Sequence, residues 1–158
     1  MDLRPIQAKD NLQIAKLIRH SLKSRGFDHP GTAYFDPYLT ELSHYYQQLN
    51  HAQYWVVTDQ EKIIAGAGIA PLQQIPHICE LQKLYVADTY QRNGLASRLI
   101  DTALAFASQY YTACYLETHT NLGKAWSLYE KYGFVRLDTP LIDTDHTAMD
   151  RWYLKQLN

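Results

Sequence analysis

The sequence predicts a mixed α+β domain with a central, mostly antiparallel, twisted sheet of about seven strands and about four flanking helices. Three observations carry this reading. Short runs rich in branched and aromatic residues alternate with longer stretches whose apolar residues recur at helical spacing. Their order is β-α-α-β-β-β-α-β-α-β-β, with a tight turn joining two successive strands, which a strictly alternating parallel fold lacks. The 158 residues, free of repeats and linkers, suit a single domain over 1–158 with a real core.

Leu3 to Ile6 reads as the first strand. Asp10 is a suitable N-cap for a helix over Asn11 to Lys23, where Ile14, Leu17, Ile18 and Leu22 form one apolar stripe. Arg25 to Pro37 is rich in turn formers and aromatics and reads as a loop; a second helix is expected over Tyr38 to Leu49. Gln53 to Thr58 and Lys62 to Ala70 form a hairpin about Asp59-Gln60-Glu61, and Gly66 and Gly68 thin its second strand, as close backbone approach would require. His77 to Val86 and Tyr111 to Thr118 are strands on either side of an amphipathic helix that carries Leu95, Leu99, Ala103, Phe106 and Ala107. Asn121 is placed to cap a helix over Leu122 to Tyr132, which Gly133 ends. Phe134 to Leu137 and Met149 to Leu157 are the last strands.

Composition excludes several function classes. A net charge of −1 without charge blocks does not suit a nucleic-acid or membrane surface. No apolar run reaches the roughly 18 residues of a membrane span, and the N-terminus has no signal-peptide pattern. Cys79 and Cys114 sit in apolar, strand-like runs and read as free buried thiols, which suits a cytoplasmic protein. The seven histidines and two cysteines show no metal-ligand spacing, so no metal is expected.

The most informative stretch is Leu81 to Ala107. A strand ends at Val86, a turn follows, and a helix opens at Gly94-Leu95-Ala96. Such a helix N-terminus presents unpaired N–H groups and positive potential to an anion, and Gly94 and Ala96 leave room for a phosphate. The chain lacks the Gly-Lys-Ser/Thr ending of a triphosphate loop and the three glycines of a dinucleotide site. Gln91-Arg92-Asn93-Gly94-Leu95-Ala96 instead resembles the pyrophosphate loop of the GNAT superfamily, the acyl-CoA-dependent N-acyltransferases. About 25 residues after Ala96, the block Asn121-Leu122-Gly123-Lys124-Ala125-Trp126-Ser127-Leu128-Tyr129-Glu130-Lys131-Tyr132-Gly133-Phe134 is similar to a second pattern of that family. The N-terminal third resembles a bacterial subgroup of small-molecule acetyltransferases.

This resemblance implies a GNAT-like fold and direct transfer of an acetyl group from acetyl-CoA to an amine. It implies that Leu84, Tyr85 and Val86 bind the pantetheine arm through their backbone. Gln91, Arg92, Asn93, Gly94, Leu95, Ala96 and Ser97 would hold the pyrophosphate, and Asn121 would touch the pantetheine. An alkyl amine with a pKa of about 10 is protonated at neutral pH, so a base is needed. Glu80, on the strand before the turn, resembles the family's base position, and its apolar neighbours Ile78 and Leu81 would raise its pKa. Glu117 and, more weakly, His146 are the alternatives. Tyr129 matches the family's acid for the departing thiolate. The acceptor pocket is expected among Arg25–Pro37, the second helix and Pro140–Thr147, with Arg19 and Arg25 available for a carboxylate. A small-molecule or amino-acid-like amine fits best. A protein N-terminus or lysine, an O-acceptor, a longer acyl donor, or a CoA-binding regulatory module without transfer activity stay open. Family members are often dimers, and a homodimer stays open with them.

Overall fold

The computed structural model describes residues 1–158, with Gly123 described by its backbone alone. Eleven principal elements follow in the expected order: β1 (Asp2–Pro5), α1 (Asn11–Ser24), α2 (Leu42–Gln47), β2 (Gln53–Asp59), β3 (Lys62–Pro71), β4 (Ile78–Val86), α3 (Leu95–Ala107), β5 (Ala113–Thr118), α4 (Gly123–Lys131), β6 (Val135–Leu137) and β7 (Arg151–Gln156). The strands form one seven-stranded sheet in the order β1-β2-β3-β4-β5-β7-β6. Every neighbouring pair is antiparallel except β4 and β5.

Each face of the sheet buries its own apolar cluster. On one face, Leu95, Leu99, Ile100 and Ala103 of α3 and Tyr129 of α4 pack against Ile64, Ile69, Leu81 and Leu116. On the other, Ile14, Ile18 and Leu22 of α1 pack with Leu42, Tyr46, Tyr54 and Val56. Both helices bury the stripe that their sequence spacing predicts. The β2–β3 turn puts Gln60 and Glu61 at φ 48° and 70°, the left-handed pair that a two-residue hairpin needs.

Three local expectations change. Asp10 does not cap α1. Its carboxylate accepts two hydrogen bonds from Arg4, at 2.7 and 2.9 Å, and one from the Gln7 N–H, at 2.8 Å, and so ties β1 to the 3-10 turn that follows it. The second helix is confined to Leu42–Gln47 because Glu41, at φ −135°, interrupts it after a 3-10 turn; Leu39 and Leu42, both fully buried, then reach the same core. Asn121 does not cap α4, which starts at Gly123; its backbone N–H is bound by Nδ1 of His119 at 3.0 Å. Gly133 does end α4. At φ 88° it donates to Glu130 O while Phe134 donates to Tyr129 O, both at 3.1 Å, which satisfies two terminal carbonyls.

Candidate active site

The site is built where β4 and β5 part. Their parallel pairing covers only Ile78–Glu80 against Ala113–Tyr115. Beyond that, β5 follows β7 and β4 follows β3. From Leu81 onward, one edge of β4 therefore has no strand partner. A bulge sharpens the fork. Gln82 pairs with Gly68 and Tyr85 with Gly66, so Ala67 alone opposes Lys83 and Leu84. Lys83 takes φ 52°, and its carbonyl accepts from the buried Tyr54 hydroxyl at 2.8 Å. Gly66 and Gly68 permit this arrangement. A Cβ on Gly66 would lie 2.7 Å from the Tyr54 ring, and one on Gly68 2.6 Å from Tyr54 and 2.8 Å from Tyr46.

The bulge shifts the phase of the strand. Leu81, Leu84 and Val86 pack on the α3 side. Gln82 and Lys83, although consecutive, both bond toward the α1–α2 side, and Tyr85 follows them there. One strand thus serves two chemically different regions.

The first region is a cleft of about 720 Å³. It is lined by Leu84, Tyr85 and Val86, by Gln91, Arg92, Gly94, Leu95, Ala96 and Ser97, and by Asn121, Lys124 and Lys131 across from them. Gly94 stands at φ 73° just before α3, and Arg92 at φ 70°. The first N–H groups of the 13-residue α3 point out of the helix with no acceptor within it. Cationic side chains and helix-end donors give this cleft the character that an elongated polyanion needs. Asn93 is absent from the lining; its amide donates to Tyr90 O at 3.0 Å. Arg25 belongs to the cleft, held by Ser21 O at 2.9 Å and by Asp88 at 3.4 Å.

The second region lies at the start of the fork. Glu80 accepts from the Gln82 amide at 2.8 Å, and Gln82 in turn accepts from the buried Tyr46 hydroxyl at 2.6 Å. Dense packing around the Glu80 carboxyl pushes its pKa up to about 7, against the pull of the Gln82 donor, although the residue keeps some solvent-accessible surface. Glu117 accepts from Tyr115 at 3.0 Å and Thr144 at 2.8 Å, and burial raises its pKa as well. Beside them, Lys83 Nζ lies 2.6 Å from Asp36, and His146 Nε2 lies 2.9 and 3.1 Å from the two Asp36 oxygens. Burial alone would raise the Asp36 carboxyl. The His146 hydrogen bond and the Lys83 ammonium outweigh it and hold the group below its usual range. Tyr38 stacks on Tyr45 at 3.7 Å and completes the wall.

Tyr129, on α4, packs in the α3-side core against Phe134 and is not among the residues that line the cleft, although its neighbours Leu128 and Ala125 are. It is buried, and desolvation lifts its phenol well above 10. Its hydroxyl makes no hydrogen bond among the described residues, yet no fully enclosed side-chain oxygen lacks a partner, so the hydroxyl reaches accessible surface. The described residues include no cluster of three metal-ligating side chains. Arg19 is engaged with Tyr34 O at 3.4 Å.

The sequence reading missed Lys83, Asp36, Gln82 and Tyr46. The bulge did leave a trace: apolar residues at 81, 84 and 86 are spaced three and then two, a slip that a regular strand does not make. Nothing local could link Asp36 to His146, which lies 110 residues away.

The model of the acetyltransferase (GNAT) family matches residues 24–134. The chain is 37% identical over 158 residues to YjgM of Escherichia coli (strain K12), described as an uncharacterized N-acetyltransferase, covering 98% of this chain and 94% of that one. Its fold is similar to that of a GNAT-family acetyltransferase of Staphylococcus aureus Mu50, with a TM-score of 0.85, 19% identity and 99% of each chain covered. It is also similar to YncA of Salmonella typhimurium, solved with its cofactor acetyl-CoA, at TM-score 0.78 and 15% identity, covering 100% of this chain and 94% of that one.

Proposed function

This chain belongs to the GNAT family of N-acetyltransferases, and on that footing we propose that it moves the acetyl group of acetyl-CoA directly to the primary amine of a small molecule, with Glu80 as base and Tyr129 as acid. Acetyl-CoA-dependent transfer to an amine is the family's activity; the acceptor class and the residue roles are our reading.

The fork between β4 and β5 is the observation that carries it. Its unpaired edge at Leu84–Val86 offers backbone hydrogen bonds to an extended pantetheine arm, and leads at one end to the α3 N-terminus and at the other to Glu80. In this reading Gln91, Arg92 and Gly94–Ser97 hold the pyrophosphate, Asn121 touches the pantetheine, and Asn93 orders the turn through Tyr90. A backbone N–H near Leu84 polarises the acetyl carbonyl.

The chemistry follows from proton counting. The nitrogen enters as an ammonium and leaves as an amide, so it gives up two protons. The thiolate regains one as CoA departs. Glu80, at about 7, is deprotonated often enough near neutral pH to accept a proton and basic enough to hold it. Glu117 is the other carboxylate in reach of this role. The Tyr129 phenol, still protonated at any physiological pH, supplies the thiolate. Nothing in these steps calls for a metal. Arg25 lies in the cleft, bonded to Ser21 O and Asp88, while Arg19 bonds Tyr34 O through Nε alone. The carboxyl groups of Glu80 and Glu117 at the fork suit a cationic amine.

No helix among the described residues is long and apolar enough to cross a membrane. We read the chain as one domain acting in the cytoplasm, where its two buried thiols stay free.

The test is release of CoA thiol from acetyl-CoA in the presence of amino acids, polyamines, aminoglycosides and short peptides. Release that depends on one acceptor and collapses in E80Q and Y129F supports the reading. Binding of acetyl-CoA without release on any acceptor favours a binding module.

A further inference from the structure

We propose that His146, oriented by Asp36 and Lys83, is a second proton acceptor of the transfer, taking the first proton of the acceptor ammonium at Nδ1. This rests on the acetyl-transfer reading above and adds the step that Glu80 alone leaves open.

The geometry is specific. Asp36 is buried and receives Lys83 Nζ at 2.6 Å and His146 Nε2 at 2.9 Å. A carboxylate at Nε2 fixes the neutral imidazole as the tautomer protonated there and leaves the Nδ1 lone pair free. No side chain or backbone group among the described residues bonds to that Nδ1. Lys83 and Tyr38 stand behind Asp36, Glu117 is tied to the same loop through Thr144, Glu80 is near enough to feel the imidazole charge, and Asp143 and Asp145 belong to the loop itself. Lys83 takes up the charge of Asp36, so the carboxylate serves to hold the ring and its proton at Nε2.

The protons then balance. His146 removes one from R–NH3⁺ and the freed lone pair forms the C–N bond. Glu80 removes the second from the tetrahedral adduct, the C–S bond breaks, and the thiolate takes its proton from Tyr129. The Glu80 proton restores Tyr129 through water, and the His146 proton leaves to solvent as the one net proton of the reaction. Asp36 and Lys83 are positioning residues.

The experiment has two arms on the full-length protein saturated with acetyl-CoA. Side-chain ¹⁵N spectra, assigned by loss of a signal in H146Q, read the tautomer of neutral His146. Rates of CoA release to the acceptor found in the panel are compared for wild type, H146Q and H146A, with and without added imidazole. Expected are a proton on Nε2, a fall in kcat of about 100-fold at unchanged KM for acetyl-CoA, and partial recovery of H146A with imidazole. A proton on Nδ1, full kcat in H146Q, or a loss that imidazole does not restore while the melting temperature drops would each overturn it. If wild type transfers to no amine, the parent reading fails, and the tautomer alone decides whether this dyad exists.

Discussion

The two ends of β4 bind by different means. Past Lys83 the strand offers backbone atoms, an open edge and a helix terminus to an elongated ligand. Up to Lys83 it offers side chains: Glu80, held by its strand neighbour Gln82, and Gln82 and Lys83, held by Tyr46 and Asp36 from other parts of the chain. The first half is a shape that many sequences can make. The second is a constellation that depends on individual residues. Substitutions at the second should therefore abolish chemistry and spare the cofactor, and substitutions at the first should do the reverse.

The largest effects test that separation. Y129F and E80Q are expected to lower kcat by about 100-fold or more while leaving the acetyl-CoA dissociation constant within about threefold. Equal losses in affinity and kcat would merge the two regions. The wild-type rate should also rise with pH through about 7, as Glu80 loses its proton, and E80Q should lack that limb. The same ionisation has a sign in stability. A carboxyl whose pKa is about 4.5 in the unfolded chain and about 7 in the fold contributes stability below 4.5 that is lost as pH rises through 7. E80Q should accordingly melt above wild type at pH 8 and lose that advantage at pH 5.

Next in size is the packing that makes the bulge. G68A would press a methyl 2.6 Å from Tyr54, and should cost about 1–3 kcal/mol in chemical denaturation. It should also weaken both regions together, because Tyr54 holds the Lys83 carbonyl.

Smaller still is G94A. Left-handed backbone there costs about 1–2 kcal/mol for a residue with a Cβ, and the methyl meets no protein atom within 4 Å in the structure. Its affinity loss for acetyl-CoA, read by calorimetry, should exceed its stability loss if that space belongs to the ligand. R92A should lower affinity only a few-fold and in a salt-dependent way, since Arg92 is exposed.

The cleft half was readable in the sequence because its signals are local. Strand, turn, Gly94 and the α3 stripe lie within one stretch, and the order of elements followed from spacing alone. The side-chain half was only partly readable. Glu80 stood out through its resemblance to the family's base position and its apolar neighbours, and Glu117 as the carboxylate at the end of the next strand. The expected loop Arg25–Pro37 did contain Asp36, but its partners Lys83 and His146 lie 47 and 110 residues away. Pairings over such distances leave no periodicity. Gly66 and Gly68 announced a close approach without saying that Tyr54 and Tyr46 were what approached.

The unpaired edge of β4 has a consequence for how the protein fares in a crowded cell. An open row of backbone donors and acceptors is a template for any extended polypeptide, and proteins ordinarily cover or charge such rows. Here the row is recessed between α3 and α4, so a slender molecule reaches it and a second sheet does not. A tenant at 100 times its dissociation constant adds about 2.7 kcal/mol to folding. The supply of acyl donor would then set not only how fast the enzyme works but how long each copy survives the cell's proteases.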